Sequence, residues 1–362
     1  MELNRRGFLL TALAPALAAA KKRPPVERPS IVLIVARDLG AYMVGCYGNS
    51  VVHTPNIDLL AQTGVRFTLN FSSSPVAPDA AAFTAAGYNC GQAATQAQAD
   101  EFLDRQAPAK QFFLTVKWPS PNEITPPQKN LDLYATAAFD TIGWNSPAAN
   151  ATHKDMLLDV PGHMRRYTAA LTTLDEQLSP LMAKLHQRGL WDNTLIVFTS
   201  EIGYLLGRHG LWGGPLASNP PNLYDEVVRT PLIWRWPTSF PPQTIRTDVV
   251  DSYDLIPALA QLAGAALPAG YSAPTYLPFV YGRRLPKKQT WRGIVYGRVQ
   301  NTEMARDDRY KLVLRNQGRG PNEFYDERSD AHEMTNQIEN PTFSDMRQKL
   351  TADIAAWRGQ PG

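Results

Sequence analysis

A short apolar stretch near the amino terminus constrains the fold more than any other part of this sequence. Residues 31–36 are Ile-Val-Leu-Ile-Val-Ala, without the alternation of polar and apolar side chains that a half-exposed strand shows. Such a run is typical of a central strand in a parallel sheet, because helices cover both of its faces. Ligands of open α/β sheets bind beyond the carboxyl ends of such strands, so we expect chemistry at Arg37, Asp38 and Gly40. The alternative is an ordinary buried strand with a charged tip.

The size and composition of the chain indicate a folded globular protein. It has 362 residues, of which 44% are hydrophobic and 19% are charged. A chain of this length buries a large core and normally divides into two domains. Its formal net charge of +3 is small and its Lys and Arg residues are scattered, so nucleic-acid binding is not expected. Two cysteines, Cys46 and Cys90, are too few for a disulfide framework, and the sequence leaves their redox state open.

The amino-terminal residues have the features of an export signal. Asn4-Arg5-Arg6-Gly7-Phe8-Leu9 is followed by a short apolar run and by Ala18-Ala19-Ala20, a pattern that resembles a twin-arginine signal peptide with its cleavage region. The apolar run is too short to span a membrane. We therefore expect a signal peptide over residues 1–20, a linker over residues 21–29 and a periplasmic or secreted mature protein without a membrane span.

Several segments that follow in fixed order resemble one protein family. The matching segments are Asp38-Leu39-Gly40, Gly45-Cys46-Tyr47-Gly48-Asn49, Thr54-Pro55-Asn56-Ile57-Asp58-Leu59-Leu60-Ala61, Gly64-Val65-Arg66-Phe67-Thr68 and Ser72-Ser73-Ser74-Pro75-Val76. In this order and spacing they resemble the amino-terminal half of the sulfatases, which belong to the alkaline-phosphatase-like superfamily. The resemblance implies an α/β fold, with a central mostly parallel sheet between helices in residues 30–285. It also implies a smaller antiparallel sheet packed with a helix in residues 286–362.

The resemblance implies a nucleophile motif from which this chain departs. In the family a Cys or Ser is followed by x-Pro-Ser-Arg, and the Cys is oxidised to formylglycine, whose hydrate attacks sulfur. Here the nucleophile position is Ala77 and the arginine position is Ala81. A methyl group can neither attack sulfur nor hold a sulfate oxygen. Cys90 lacks the flanking Pro and Arg of the motif, so we expect no formylglycine.

The chain also lacks other groups that the resemblance implies around the sulfate ester. The family histidine that follows the strand at residues 111–116 is Ser120 here, and the lysine that closes the motif of His209 is Gly214. A Lys-x-His pair is absent, together with several dozen residues before that strand. His209 and Lys117 remain as candidates for a residual site. Their alternatives are a histidine packed under a loop and a solvated surface charge.

The calcium site that the resemblance implies is altered as well. In the family, two aspartates after the first strand join an Asp and an Asn or His after a second strand, because calcium requires hard oxygen ligands. The corresponding residues here are Arg37, Asp38, Glu201 and Ile202. We expect the strand at residues 195–200 to lie beside the first, and Arg37 to replace the metal by pairing with Asp38 and Glu201. These two carboxylates would be the remnant of the metal site, and no bound calcium is expected.

The sequence leaves three functional hypotheses and does not establish whether the protein is an enzyme. The first is an exported sulfatase-family protein that has lost hydrolysis and acts by binding, with a sulfated or phosphorylated glycan or small ester as the ligand class that the family suggests. The second is an active sulfuric-ester or phosphoester hydrolase that uses a hydroxyl of residues 72–74, or groups supplied by another chain. The third is a decaying gene, whose internal gap leaves an exposed sheet edge and an unstable protein.

Overall fold

The apolar run at the start of the described chain forms the central strand of a seven-stranded sheet. The structure is a computed structural model that describes residues 28–73, 76–107, 110–139, 146–269, 271 and 274–358. Strand β1 is Ser30–Ala36, and all of its residues are buried. The strands on its two sides, β5 (Phe112–Lys117) and β6 (Thr194–Ser200), both run parallel to it. The prediction of a central parallel strand is therefore confirmed.

The remaining strands of this sheet complete a mostly parallel arrangement. They are β2 (Val65–Phe67), β4 (Asn89–Ala93), β7 (Leu232–Arg235) and β8 (Thr244–Arg246). The order across the sheet is β4-β5-β1-β6-β7-β2-β8, and only β7 runs against its neighbours. Two short strands, β3 (Asn70–Phe71) and β9 (Val250–Asp251), form a separate parallel pair. The predicted α/β fold with a mostly parallel sheet is confirmed.

Helices cover both faces of the main sheet, as a strand without alternation requires. They are α1 (Pro55–Gln62), α2 (Ala80–Ala85), α3 (Gln96–Asp104), α4 (Gln128–Asp132), α5 (Val160–Glu176), α6 (Leu178–Gln187), α7 (Asp225–Val228), α8 (Leu255–Ala263) and α9 (Leu277–Val280). Val32 and Ile34 of β1 pack with residues of α1, α5 and α6. Leu33 and Val35 point to the opposite face and pack with residues of α2, α8 and α9. None of the described helices combines the length and apolar character that a membrane crossing needs.

A second, antiparallel sheet follows the main one along the chain. Its strands, in spatial order, are β10 (Val295–Val299), β11 (Thr302–Arg306), β12 (Tyr310–Arg315) and β13 (Glu323–Asp326). Helix α10 (Ser344–Arg358) packs on one face through Leu350 and Ile354. Met304 and Val313 on the other face pack against the loops that follow β6. The predicted small antiparallel sheet with a helix is confirmed, whereas the division into domains at residue 285 stays a prediction.

The structure corrects three details of the predicted elements. The apolar spacing over residues 163–185 predicts one helix, and the alternation over residues 65–71 predicts one strand. The structure divides the first into α5 and α6 and the second into β2 and β3. Strand β4, between α2 and α3, was not predicted, because its sequence Asn-Cys-Gly-Gln-Ala has little of the β-branched character of strands. Pairing with β5 overrides that weak propensity. β4 therefore covers the side of β5 that the shortened segment was expected to leave open.

Asp175 of α5 holds the first turn of α1 in place. Its carboxylate accepts hydrogen bonds from the backbone amides of Asn56, at 3.0 Å, and Ile57, at 2.8 Å. Amides in the first turn of a helix have no partner inside that helix, so an acceptor from elsewhere must satisfy them. Asp175 is fully buried, and burial raises its pKa to about 6.

We predict that Asp175→Ala lowers the free energy of unfolding by about 2 kcal/mol, because two backbone amides lose their acceptor. Urea denaturation measures this loss. Asp132→Ala is the matched control, since Asp132 is an exposed helical aspartate whose hydrogen bond is local. Equal stabilities of the two variants would contradict the capping role of Asp175.

Candidate functional site

The carboxyl ends of β1, β5 and β6 meet at one edge of the main sheet. Two backbone hydrogen bonds extend the contact of β1 and β6 beyond the strands. The amide of Glu201 donates to the carbonyl of Ala36, and the amide of Leu39 donates to the carbonyl of Ile202, both at 2.9 Å. Asp38 adopts a left-handed backbone conformation with a φ of 55°, which is uncommon for a residue with a side chain. The structure therefore brings the two predicted segments to the same edge.

Glycines just beyond both strands allow α7 to approach this edge closely. At Gly40 and at Gly203, a Cβ atom would lie 2.6 Å or less from the backbone carbonyl of Glu226. Any larger residue would push α7 away from the strand ends. This close approach connects the predicted site to the buried charges around α7.

Asp38 is held by hydroxyl groups. Its carboxylate accepts a hydrogen bond from the Ser120 hydroxyl, and its backbone carbonyl accepts one from the Tyr167 phenol. Burial raises the pKa of Asp38, and the hydrogen bond from Ser120 and the charge of Arg37 oppose that rise without cancelling it. Ser120 is itself buried. The position that the family resemblance assigns to a histidine thus does lie at this site.

Arg37 does not form the ion pairs that the sequence suggested. Its guanidinium lies 3.8 Å from the carboxylate of Glu123, and both side chains are 58% exposed, so this pair contributes little to stability. Among the described residues, no salt bridge joins Arg37 to Asp38 or Glu201. The physical reason is desolvation, because a guanidinium enclosed by two carboxylates loses more hydration than an exposed pair does. The hypothesis that Arg37 replaces a metal ion between Asp38 and Glu201 is therefore wrong.

The residues at the family's calcium positions do not fit calcium. That ion takes about six to eight oxygen ligands. Two of the four positions hold the cation of Arg37 and the alkyl side chain of Ile202, which offer no oxygen. Asp38 and Glu201 carry the carboxylates that are left among the four positions. The predicted remnant of a metal site is short of ligands, and we assign no catalytic step to a metal here.

Ala77 lies in the loop three residues before α2 and Ala81 is the second residue of that helix, and both are exposed. Asp79 caps this short helix, because its Oδ1 accepts a hydrogen bond from the amide of Ala81 at 2.9 Å. A carboxylate at a helix start is stabilised by the positive end of the helix dipole. The same carboxylate opposes the approach of an anion such as a sulfate ester.

The serines considered as alternative nucleophiles have other partners. The Ser72 hydroxyl donates to the backbone carbonyl of Glu201. The Ser73 hydroxyl bonds to the carboxylate of Asp251, which pairs with Arg292 at 2.8 Å. The third serine of this run lies outside the described residues. A serine nucleophile needs an adjacent base, and neither a backbone carbonyl nor an ion-paired carboxylate is an effective one.

His209 lies in a buried group around α7. Its Nε2 is 3.3 Å from one carboxylate oxygen of Glu226, and its ring stacks on Tyr224 with 3.7 Å between ring centres. The other oxygen of Glu226 is 2.6 Å from the guanidinium of Arg208. These contacts place His209 in a packed position. Among the remaining candidates, Lys117 is exposed at the end of β5, and Gly214 lies in a loop whose carbonyl accepts a hydrogen bond from Asn222.

A group of carboxylates that sequence reasoning missed lies between α7 and the second sheet. Oxygen atoms of Asp225, Glu327 and Glu333 lie within 4.8 Å of one another, close enough to share a cation. The ammonium of Lys311 is 2.9 Å from Asp225 and 2.7 Å from Glu333, and Arg306 is 3.3 Å from Asp225. These side chains supply the positive charge that a metal would otherwise bring. No local pattern indicated this group, because its members are far apart in the sequence.

We predict that Glu327→Gln makes the protein less sensitive to alkaline pH. Burial and the negative charge of Asp225 raise the pKa of Glu327 to about 9. The folded state therefore keeps a proton that the unfolded state has released, and stability falls as the pH rises from about 5 to about 9. A glutamine stays neutral, so the variant should lose less stability over this range.

Thermal unfolding across that pH range measures the effect. Glu339→Gln is the matched control, because Glu339 is exposed. Parallel curves for the wild type and Glu327→Gln would show that Glu327 does not titrate in this range.

Two protein-family models match the chain. The family model described as "Sulfatase" matches residues 76–265, and the model described as "N-sulphoglucosamine sulphohydrolase, C-terminal" matches residues 221–360. The first match alone covers more than half of the chain. The protein belongs to the sulfatase family. Its fold is accordingly that of the alkaline-phosphatase-like proteins, and the characteristic reaction of its family is the hydrolysis of sulfate esters.

Relatives named as sulfatases are similar to this chain at low identity, and one of them matches most of its length. The "Ulvan-active sulfatase" of Formosa agariphila is 23% identical over 428 residues, which cover 93% of this chain and 81% of that protein. The "N-acetylglucosamine-6-O-sulfatase" of Bacteroides thetaiotaomicron is 26% identical over 197 residues, 52% of this chain and 34% of that protein. The second comparison therefore concerns only part of the relative.

Solved structures show the same fold. A structure in complex with "its substrate D-Glucosamine-2-N, 6-O-disulfate" has a TM-score of 0.76 and 18% identity, over 92% of this chain and 98% of that one. The phosphonate monoester hydrolase of Agrobacterium radiobacter has a TM-score of 0.74 and 18% identity, over 92% of this chain and 96% of that one. At this identity the likeness concerns the fold and not the reaction.

Proposed function

We propose that this sulfatase-family protein has lost sulfate ester hydrolysis and acts outside the cytoplasm by binding an anionic ligand. The observation that carries the proposal is the position of Ala77. It is exposed in the loop three residues before α2, at the position that the family resemblance assigns to the nucleophile, and the amide of Ala81 is bonded to Asp79. The methyl group of Ala77 therefore occupies the position expected for the attacking group, and the carboxylate of Asp79 follows two residues later.

Further replacements at the same edge of the sheet support the proposal. Removing a single charge-stabilising group typically costs about two to three orders of magnitude in rate. Here the calcium positions hold Arg37 and Ile202, and the histidine position holds Ser120, which bonds to Asp38. What remains can donate and accept hydrogen bonds. Among the described residues of this edge there is no activated nucleophile and no set of groups to stabilise a departing sulfate.

The names of the relatives and of a similar structure suggest the class of ligand. One relative is active on ulvan, another is named for a sulfated N-acetylglucosamine, and one similar structure holds a disulfated glucosamine as substrate. A protein that keeps this scaffold without hydrolysis is suited to retain such compounds instead of consuming them. The proposed ligand is therefore a sulfated or phosphorylated glycan or small ester.

We predict no turnover of aryl sulfates or of phosphate monoesters and diesters above that of Ser72→Ala/Ser73→Ala, and no stoichiometric calcium. The reason is that Ala77 cannot attack and that two of the four positions that the family resemblance assigns to calcium offer no oxygen ligand. Steady-state assays with and without chelator, together with elemental analysis of the purified protein, check both points. A cooperative thermal transition in the same preparation would argue against a decaying gene.

Two results would contradict the proposal. Turnover that survives chelation but disappears in Ser72→Ala/Ser73→Ala would favour a hydrolase with a serine nucleophile. About one tightly held divalent ion per chain would show that the remaining oxygen ligands suffice for a metal site.

We predict that Arg5→Lys/Arg6→Lys keeps the precursor in the cytoplasm, because a twin-arginine signal depends on its arginine pair. Residues 1–20 lie outside the described residues, so this prediction rests on the sequence alone. Fractionation of cells that express the tagged full chain provides the measurement. Ala18→Ser is a control change near the expected cleavage region, and equal export of both variants would contradict a twin-arginine route.

A further inference from the structure

A cavity of about 500 Å³ lies beside α9 and the end of α8. It is lined by apolar and cationic side chains, which include Leu262, Leu277, Tyr281, Arg28, Arg283 and Arg284. We call this cavity the basic groove. Leu262, Leu277 and Tyr281 give it an apolar surface, and the three arginines give it positive charge.

The basic groove is separate from the site predicted at the strand ends. Arg28 precedes β1 directly and lines the groove, whereas Asp38 follows β1 at its other end. A strand of this length spans about 20 Å. The groove therefore lies toward the amino-terminal edge of the main sheet, opposite the edge where sulfatases carry out hydrolysis.

Three arginines line this groove and two lysines follow two of them closely in the sequence, and none of the five has a carboxylate partner among the described residues. Arg283 and Arg284 are followed by Lys287 and Lys288, and all four are exposed. Among the described residues, none of these four cations nor Arg28 forms an ion pair. Like charges held close together repel one another, and they attract a ligand of opposite sign. The charge of the groove thus indicates a ligand with several negative groups.

Two of the arginines are held in place by their surroundings. Arg28 donates a hydrogen bond to the carbonyl of Ala86 at 3.1 Å. It passes over Gly264, where a Cβ would lie 2.8 Å from its guanidinium and where the φ of 65° also favours glycine. The guanidinium of Arg283 lies over the ring of Tyr281, 5.1 Å from the ring centre. Ordered guanidinium groups beside an aromatic ring lose little freedom when a ligand binds.

We propose that the basic groove binds a stretch of a sulfated or phosphorylated saccharide chain. Guanidinium groups bind the oxygen atoms of such esters in bidentate fashion, and an aromatic ring can pack against a sugar. A cavity of this volume is within the range of pockets that enclose a small ligand. The inference deepens the proposed binding role and rests on it for the class of ligand.

Other occupants fit the groove less well. A bilayer is flat, and it would leave the concave apolar surface of Leu262 and Leu277 uncovered. The chain that leads to Arg28 carries Lys21, Lys22 and Arg23, whose charges have the same sign as those of the groove. Repulsion between these like charges therefore disfavours binding of this segment in the basic groove.

Binding of a size-defined heparin oligosaccharide to the full chain tests the proposal. Arg283→Gln/Arg284→Gln should weaken binding by at least about tenfold, since two charge-assisted contacts are lost. Lys110→Gln/Lys349→Gln removes the same charge from exposed sites outside the groove, and it should change affinity by less than about twofold, because exposed distant charges are screened by salt. Equal weakening by both double variants would overturn the proposal in favour of general electrostatic attraction. Thermal unfolding establishes that each variant is folded.

A measurement on the wild-type protein complements the variants. The bound oligosaccharide should protect Lys287 and Lys288 from acylation, whereas Lys110 and Lys349 should react as before. Equal reactivity of the two pairs in the complex would contradict binding at the groove. Tighter binding of duplex DNA, or of phosphatidylserine vesicles, than of the oligosaccharide would reject the saccharide assignment. Ester turnover in the assays above would instead overturn only the loss of hydrolysis, because the groove lies away from the strand ends.

Discussion

The pairing of β1 with β5 on one side and with β6 on the other is the constraint on which the rest of the structure depends. Each large apolar side chain of β1 that is buried contributes roughly 1.5 to 3 kcal/mol, and all of β1 is buried. The register sets Val35 level with Lys117 and Ala36 level with Ser200. The residues that follow β1, β5 and β6 therefore lie at one edge of the sheet, whichever side chains they carry. The scaffold can persist after the catalytic groups have changed.

Protein groups satisfy the polar atoms at that edge and at the start of α2. The carboxylate of Asp38 is stabilised by the hydrogen bond from Ser120 and by the charge of Arg37, although burial still raises its pKa. The backbone amide of Ala81 at the start of α2, near the position that the family resemblance assigns to the nucleophile, donates a hydrogen bond to Asp79. Charge concentrates instead in two other places. The group of Lys311 and its carboxylates is internally compensated, whereas the basic groove has no described carboxylate partner.

The apolar run in β1 predicted a central parallel strand, because burial on both faces leaves no alternation, and the resemblance to the sulfatases supplied the rest of the fold. Patterns along the chain failed for β4, whose residues have weak strand propensity and depend on pairing with β5. They also failed for Arg37, because a sequence fixes which residues follow a strand and not where a long side chain points. In the structure the guanidinium lies beside Glu123, 3.8 Å from its carboxylate. The contact of Lys311 with Glu333 depends on tertiary packing, so no local signal revealed it.

The central claim is that the sulfatase scaffold persists while its metal and nucleophile positions no longer work. Crystals grown with calcium and inorganic sulfate test it most directly, through anomalous density at the edge formed by β1 and β6. The account predicts that Ser120 is hydrogen-bonded to Asp38 and that no calcium peak lies beside it. A calcium ion coordinated by both Asp38 and Glu201, with sulfate against residue 77, would contradict it.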